Sequence, residues 1–138
     1  MNKSEILAFL EANPSCHLAT VEENKPHVRG IGIIKADENG IIFQSYTIKD
    51  IHKQLSENPN VELCFNNSRE GIQIRVSGTV ELVEDIELKK GIVAKRQFLK
   101  PLVEKEGYEI VTVYRLKKGI ATVWTFATNF APKTYIEL

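Results

Sequence analysis

Apolar residues recur at two different spacings along this chain of 138 residues, and the spacing changes where turn-forming residues fall. Over residues 3 to 12, Ile6, Leu7 and Leu10 share one helical face with Phe9 beside it, and Asn13-Pro14 supplies a stop. This predicts a short amphipathic opening helix. From Cys16 the pattern becomes that of strands: Cys16 to Val21, a turn over Glu22 to Pro26, then His27 to Lys35 with Ile31, Ile33 and Ile34. Asp37-Glu38-Asn39-Gly40 holds the Asn-Gly pair that tolerates positive φ in a tight turn, so Ile41 to Ser45 is expected to fold back on the second strand.

Thr47 followed three residues later by Asp50 reads as the capped start of a second short helix, with Ile48, Ile51 and Leu55 facing inward and Asn58-Pro59 ending it. Val61, Leu63 and Phe65 then alternate as a strand. In the next and longest strand Ile72, Ile74, Val76, Val80 and Leu82 share one face, and Gln73, Arg75, Ser77, Thr79 and Glu81 the other. Gly78 interrupts the apolar face, as a bulge or sharp bend would. Residues 85 to 105 favour a helix with Leu88, Ile92, Val93 and Leu99 inward, weakened by Gly91 and Pro101. Two last strands, Tyr108 to Leu116 and Ile120 to Phe126, are expected to form a hairpin across Lys117-Lys118-Gly119. The sum is a mainly β fold: one domain, an antiparallel barrel of six to seven strands with two or three short peripheral helices.

Composition narrows the function classes. Lys plus Arg equal Asp plus Glu at 18 each, which argues against a nucleic-acid or anionic-membrane surface and leaves room for a local anion pocket. The longest apolar stretches are far below the roughly 20 residues of a membrane span, and MNKSEILAFLEANPS lacks the apolar core of a signal peptide. The expected location is cytoplasmic. Cys16 and Cys64 form neither a CxxC pair nor a zinc pattern, and His17, His27 and His52 are scattered, so no metal site is expected.

No nucleophile elbow, Walker loop or GxGxxG occurs, and no catalytic residue can be named. What stands out is a set of cations near strand ends and a helix start: Arg29, Lys35, Lys49, Lys53 and Arg75. Thr47 and Lys49 sit where free helix amides and the helix dipole favour an anion, with Lys53 one turn on. That corner reads either as a phosphate site or as a capped surface helix with solvated lysines.

The stretch KPHVRGIGIIKADENGIIFQSYTIKDIHKQLSENPNVELCFNN, residues 25 to 67, resembles the FMN-binding split-barrel superfamily typified by pyridoxamine 5'-phosphate oxidase. An Arg-bearing strand (Arg29), a hairpin, an aromatic strand ending in small hydroxyl residues (Phe43, Ser45, Thr47), a Lys-bearing helix (Lys49) and an L-x-x-NP-x-V passage (Leu55 to Val61) follow in the family's order. GIQIRVSGTVELVED, residues 71 to 85, is similar to the family's next strand, and GIATVWTF matches its ending more loosely. Within the superfamily the compact length is nearest the small general-stress and nitroimidazole-resistance-like flavoproteins. PKTYIEL offers no match to the C-terminal Arg and His of the vitamin B6 oxidase.

The resemblance implies a split β-barrel holding FMN at the interface of a homodimer. It implies Arg29 and Gly30 beside the flavin, the backbone of Ile31, Gly32 and Ile33 along the ring and ribityl chain, and Ser45, Tyr46 and Thr47 near the ribityl phosphate. Lys49 and Lys53 would offset the phosphate charge, although Asp50-Ile51 stands where the family often has Arg-Lys. Gln73 corresponds to a glutamine that reaches the flavin from the partner subunit, and Trp124 would close the same edge. Three functions follow as expectations: an FMN-dependent oxidoreductase acting on a small molecule, a flavin-binding carrier or stress-response protein without turnover, or a split barrel for haem or another ligand.

Overall fold

A computed structural model describes residues 1–138. The chain opens with helix α1 (Lys3–Ala12), whose Ile6, Leu7, Phe9 and Leu10 are all buried. Asn2 caps it: its side chain accepts from the Glu5 amide while Glu5 bonds back to the Asn2 amide, a reciprocal box that satisfies two orphan donors. Strands β1 (Ser15–Glu22) and β2 (Lys25–Gly32) form a hairpin closed by Glu23 and Asn24, both at positive φ (50° and 62°), the geometry that matches strand twist. The expected strand over His27 to Lys35 therefore breaks in two. Its end becomes a separate short strand β3 (Lys35–Asp37), and β4 (Gly40–Tyr46) folds back on β3 instead of β2. Only Gly40 of the Asn-Gly pair takes positive φ (114°), and a Cβ there would lie 2.5 Å from the Leu116 carbonyl oxygen.

Helix α2 (Asp50–Glu57) begins later than the Thr47 reading predicts. Lys49 is its N-cap, with no side-chain cap bond, because the Lys49 amide first turns back to the Tyr46 carbonyl (3.1 Å). The same tight turn leaves Ile48 outward and 76% exposed, while Ile51 and Leu55 go inside as expected. Strands β5 (Asn60–Asn67) and β6 (Ile72–Leu82) follow as an antiparallel pair, Leu82 alone of the predicted inward residues being largely exposed. Two helices, α3 (Ile86–Lys95) and α4 (Lys100–Glu106), stand where one is predicted. Pro101 opens α4 in its first turn, where the missing N–H costs nothing. A 3-10 turn occupies Tyr108–Ile110, so β7 begins at Val111 (Val111–Leu116).

The last expected hairpin does not form. β7 and β8 (Ile120–Thr125) do not pair with each other; both run antiparallel along the same edge of β6, with Leu116 opposite Val80 and Ile120 opposite Ser77. Lys117-Lys118-Gly119 is a bulge over Gly78-Thr79, and the small residues are required there: a Cβ on Gly119 would sit 2.6 Å from Val76 Cγ1. At this break the sheet divides. β7 continues to β4 and β3, whereas β8 turns off to the two-residue β9 (Ile136–Glu137), and β6 continues through β5 and β1 to the edge strand β2. The result is an antiparallel split barrel of nine strands, two of them very short, with four α-helices.

One face of β4 and β7 sends Ile41, Phe43, Tyr114 and Leu116 into the barrel core with α1, β1, β5 and β6. The other sends Ile42, Val111 and Val113 against Ile92, Val93 and Leu99 of the α3–α4 segment. Burial on both faces explains the unbroken apolar run in β4. No helix is long and apolar enough to cross a membrane.

Candidate functional site

A cavity of about 570 Å³ opens between the exposed strand β2, the end of β4, the start of α2 and the residue that ends α3. Its wall is His27 to Gly32 on one side and Gln44, Ser45 and Tyr46 on the other; Lys49, Asp50, Ile51 and Gln54 form the α2 side, and Arg96 closes it. The volume lies in the range of small-molecule and cofactor sites. Gly30 and Gly32 leave β2's backbone bare along this wall, and a Cβ on Gly30 would have only the Cys16 carbonyl at 4.0 Å near it.

Three cations converge here against one carboxylate. Arg29 folds back over its hairpin, Nη1 donating to the Leu18 carbonyl (3.2 Å) and Thr20 Oγ1 (2.9 Å), and Nη2 to Gln54 Oε1 (2.5 Å). Arg96, at the C-cap of α3, donates from Nη2 to the carbonyls of Gly32 (3.1 Å) and Ile33 (3.2 Å). Neither guanidinium has a carboxylate within 4.0 Å, whereas Arg75 and Arg115 elsewhere do. Burial pulls Arg29 below its ordinary value, with Asp50 acting in the opposite sense, and burial likewise lowers Arg96, with the Tyr46 phenol opposing. Lys49 supplies the third charge at the mouth of α2, whose first amides have no side-chain cap. Desolvated positive charge without an internal counter-ion is what a bound anion compensates.

Of the residues named from sequence, Arg29, Gly30, Ile31, Gly32, Ser45, Tyr46 and Lys49 are brought together in this cavity. Ile33 lies beneath it in the core, its amide donating to the Pro14 carbonyl (2.9 Å). Thr47 and Lys53 are exposed and do not line the cavity. Gln73 and Trp124 pair across β6 and β8 in a second cavity of about 620 Å³, walled also by Arg75, by Thr128 and Asn129, and by residues 131 to 134. There Trp124 stacks edge-on with Phe126 (4.9 Å) and donates to Asn129 Oδ1 (2.8 Å), and Gln73 donates to Asn66 Oδ1 (2.8 Å). Sequence reasoning missed Gln54 and Arg96, because both reach Arg29's cavity from elements distant in the chain. Cys16 is buried, and its thiol is pushed up to about 12 by desolvation, with Cys64 adding to the shift, which leaves it unreactive.

Comparison with known proteins matches residues 3–115 to the family model described as pyridoxamine 5'-phosphate oxidase. The chain is 37% identical over 71 residues to a pyridoxine/pyridoxamine 5'-phosphate oxidase of Rhodopseudomonas palustris, a match covering 51% of this chain and only 34% of that protein. It is 30% identical over 95 residues to General stress protein 26 of Bacillus subtilis, covering 65% of this chain and 66% of that one. Among solved structures, a NimC/NimA family protein of Clostridium acetobutylicum superposes with a TM-score of 0.79 at 27% identity, covering 98% of this chain and 92% of its own.

Proposed function

We propose that this chain, which belongs to the pyridoxamine 5'-phosphate oxidase family, binds FMN in the cavity beside β2 and acts as a cytoplasmic FMN-dependent oxidoreductase on a small organic molecule. The observation that carries the reading is the pair of half-buried guanidiniums, Arg29 and Arg96, held only by neutral acceptors in a cavity of cofactor size. The residues present fit the group. Lys49 and the uncapped amides of α2 suit a phosphate, the bare backbone from Gly30 to Gly32 suits the close approach of a flat ring, and Asp50 is outweighed by three cations.

A bound FMN supplies the electron-transfer chemistry that no side chain in the cavity could supply. The chain's own part is binding and orientation: Lys49 against the phosphate, Ser45 and Tyr46 along the ribityl side, and Arg29 and Arg96 keeping positive charge on the cavity wall for the anionic ligand. We propose further that a homodimer completes the site, Gln73 and Trp124 of the second cavity facing the first cavity across the interface. The exposed edge strand β2, with Val28 68% exposed, supports such a contact. The 30% identity to a general stress protein supports a second reading, a flavin-binding stress factor without turnover.

The test is the visible spectrum and mass of the purified protein, followed by titration with FMN and with riboflavin. The expected result is a yellow dimer with one FMN per subunit, bleached by a reductant and recoloured by an acceptor. Lys49→Ala is expected to weaken FMN by about 1.5 to 3 kcal/mol and riboflavin far less. No flavin uptake at micromolar FMN, or a haem Soret band in its place, overturns the proposal; tight binding with no acceptor reduced favours the stress-factor reading.

A further inference from the structure

The neutral clamp on Arg29 carries a further inference, which rests on the FMN reading for its preferred ligand. A half-buried guanidinium ordinarily finds a carboxylate, because an unpaired charge out of water is costly. Here the position a carboxylate would take is filled by Gln54, 4% exposed on α2, beside Thr20, 1% exposed on β1. The bonds form a closed ring: Arg29 Nη1 donates to Thr20 Oγ1 (2.9 Å), Thr20 Oγ1 donates to Gln54 Oε1 (2.6 Å), and Arg29 Nη2 donates to the same oxygen (2.5 Å). Because a guanidinium can only donate, the oxygen of the Gln54 amide must face Arg29. The amide nitrogen is left with no partner in the protein, on a side chain that lines the cavity.

Glutamate would fill the same volume and accept the same two bonds, yet it would cancel the charge of Arg29. We infer that Gln54 is a positioning residue of the anion site: it fixes the Arg29 guanidinium through a neutral oxygen, so that the positive charge is kept for the bound ligand, and offers its free amide hydrogens to an oxygen of that ligand. A side chain that merely filled space or satisfied Arg29 could equally be an acid. The inference therefore separates orientation, which either residue provides, from charge, which only the amide preserves.

The test compares the apoprotein with its Gln54→Glu variant, titrating each with FMN and separately with inorganic pyrophosphate, and recording Tm without and with ligand. The variant is expected to unfold without ligand at the same or a higher temperature, through its new ion pair. It is expected to bind FMN about tenfold more weakly or worse, and to lose the rise in Tm that pyrophosphate produces in the unsubstituted chain. Affinities within about twofold of the unsubstituted chain overturn the inference, as does a loss of affinity matched by a loss of Tm without ligand. Should that variant fail to fold, Thr20→Val removes one neutral anchor without adding charge and is expected to weaken FMN about threefold; unchanged affinity there overturns the inference. An unsubstituted chain that binds pyrophosphate and no FMN refutes the FMN reading while leaving the role of Gln54 standing.

Discussion

Four of the chain's arginines fall into two kinds. Arg75 and Arg115 lie across strand pairs and meet acids, Arg75 with Glu62 at 3.3 Å and Arg115 with Glu81 at 3.7 Å. Arg29 and Arg96 meet only carbonyl, hydroxyl and amide oxygens, and both point their unspent charge at one cavity. All four are half-buried, so the partner is what separates the two kinds: the first joins strands, its charge met by a partly exposed acid. The second is partly desolvated and oriented with no acid bonded to it, an arrangement that favours an anion entering the cavity. The difference marks the proposed site more sharply than any motif does.

The largest effect expected from breaking that division comes from Arg96→Met, which keeps the apolar stem and removes the charge. FMN affinity is expected to fall by about 2 kcal/mol, roughly 30-fold. Stability in urea is expected to change by less than about 1 kcal/mol, since the lost bonds to Gly32 and Ile33 are offset by relief of an unpaired buried charge. A large loss of stability with unaltered FMN binding would make Arg96 a strut between α3 and β2.

A smaller effect, of opposite sign, is expected from Asp50→Asn. Asp50 is the only carboxylate on the cavity wall and the one group whose charge favours the protonated Arg29. Its removal raises the net positive charge facing a ligand. FMN and pyrophosphate are expected to bind more tightly by about 1 kcal/mol or less at low salt, the gain fading as salt screens it. Weaker binding after the substitution would mean that Asp50 contacts the ligand and that the charge argument is wrong.

Local features of this fold were readable from sequence where one segment decides them. The alternation in β6 assigns Ile74 and Val76 to the core, and the Asn39-Gly40 turn brings β4 back on its neighbour. Partner choice was not readable, because Lys117-Lys118-Gly119 has the composition of a hairpin turn whether the flanking strands pair with each other or, as here, both with β6. The difference lies in close approach to Val76 and Leu116, which no local pattern reports. The site divides in the same way. Arg29 and Lys49 were legible as cations at a strand and a helix start, whereas Gln54 looked like an ordinary polar helix position, and Arg96 sat in a charged segment with no feature marking it. Thr47 was misread as a cap because its composition is right; the turn from Tyr46 to Lys49 moves the helix start beyond its reach.

The other side of the division is sharpened by the smallest effect, from Glu81→Gln. Glu81 lies directly opposite Arg115 in the β6–β7 ladder, with its side chain 55% exposed and that of Arg115 28% exposed, so the acid is well solvated and the pair only partly shielded. Replacing the acid by its amide keeps the shape and removes the attraction. Such cross-strand pairs contribute only about 0.2 to 1 kcal/mol, and the stability loss in urea is expected within that range and to shrink further in high salt. FMN affinity is expected to stay unchanged, because Arg115 lines neither cavity. If freeing Arg115 of its acid altered flavin binding as much as removing Arg96, charge anywhere on the molecule would matter equally. Neutral acceptors around Arg29 and Arg96 would then mark no site.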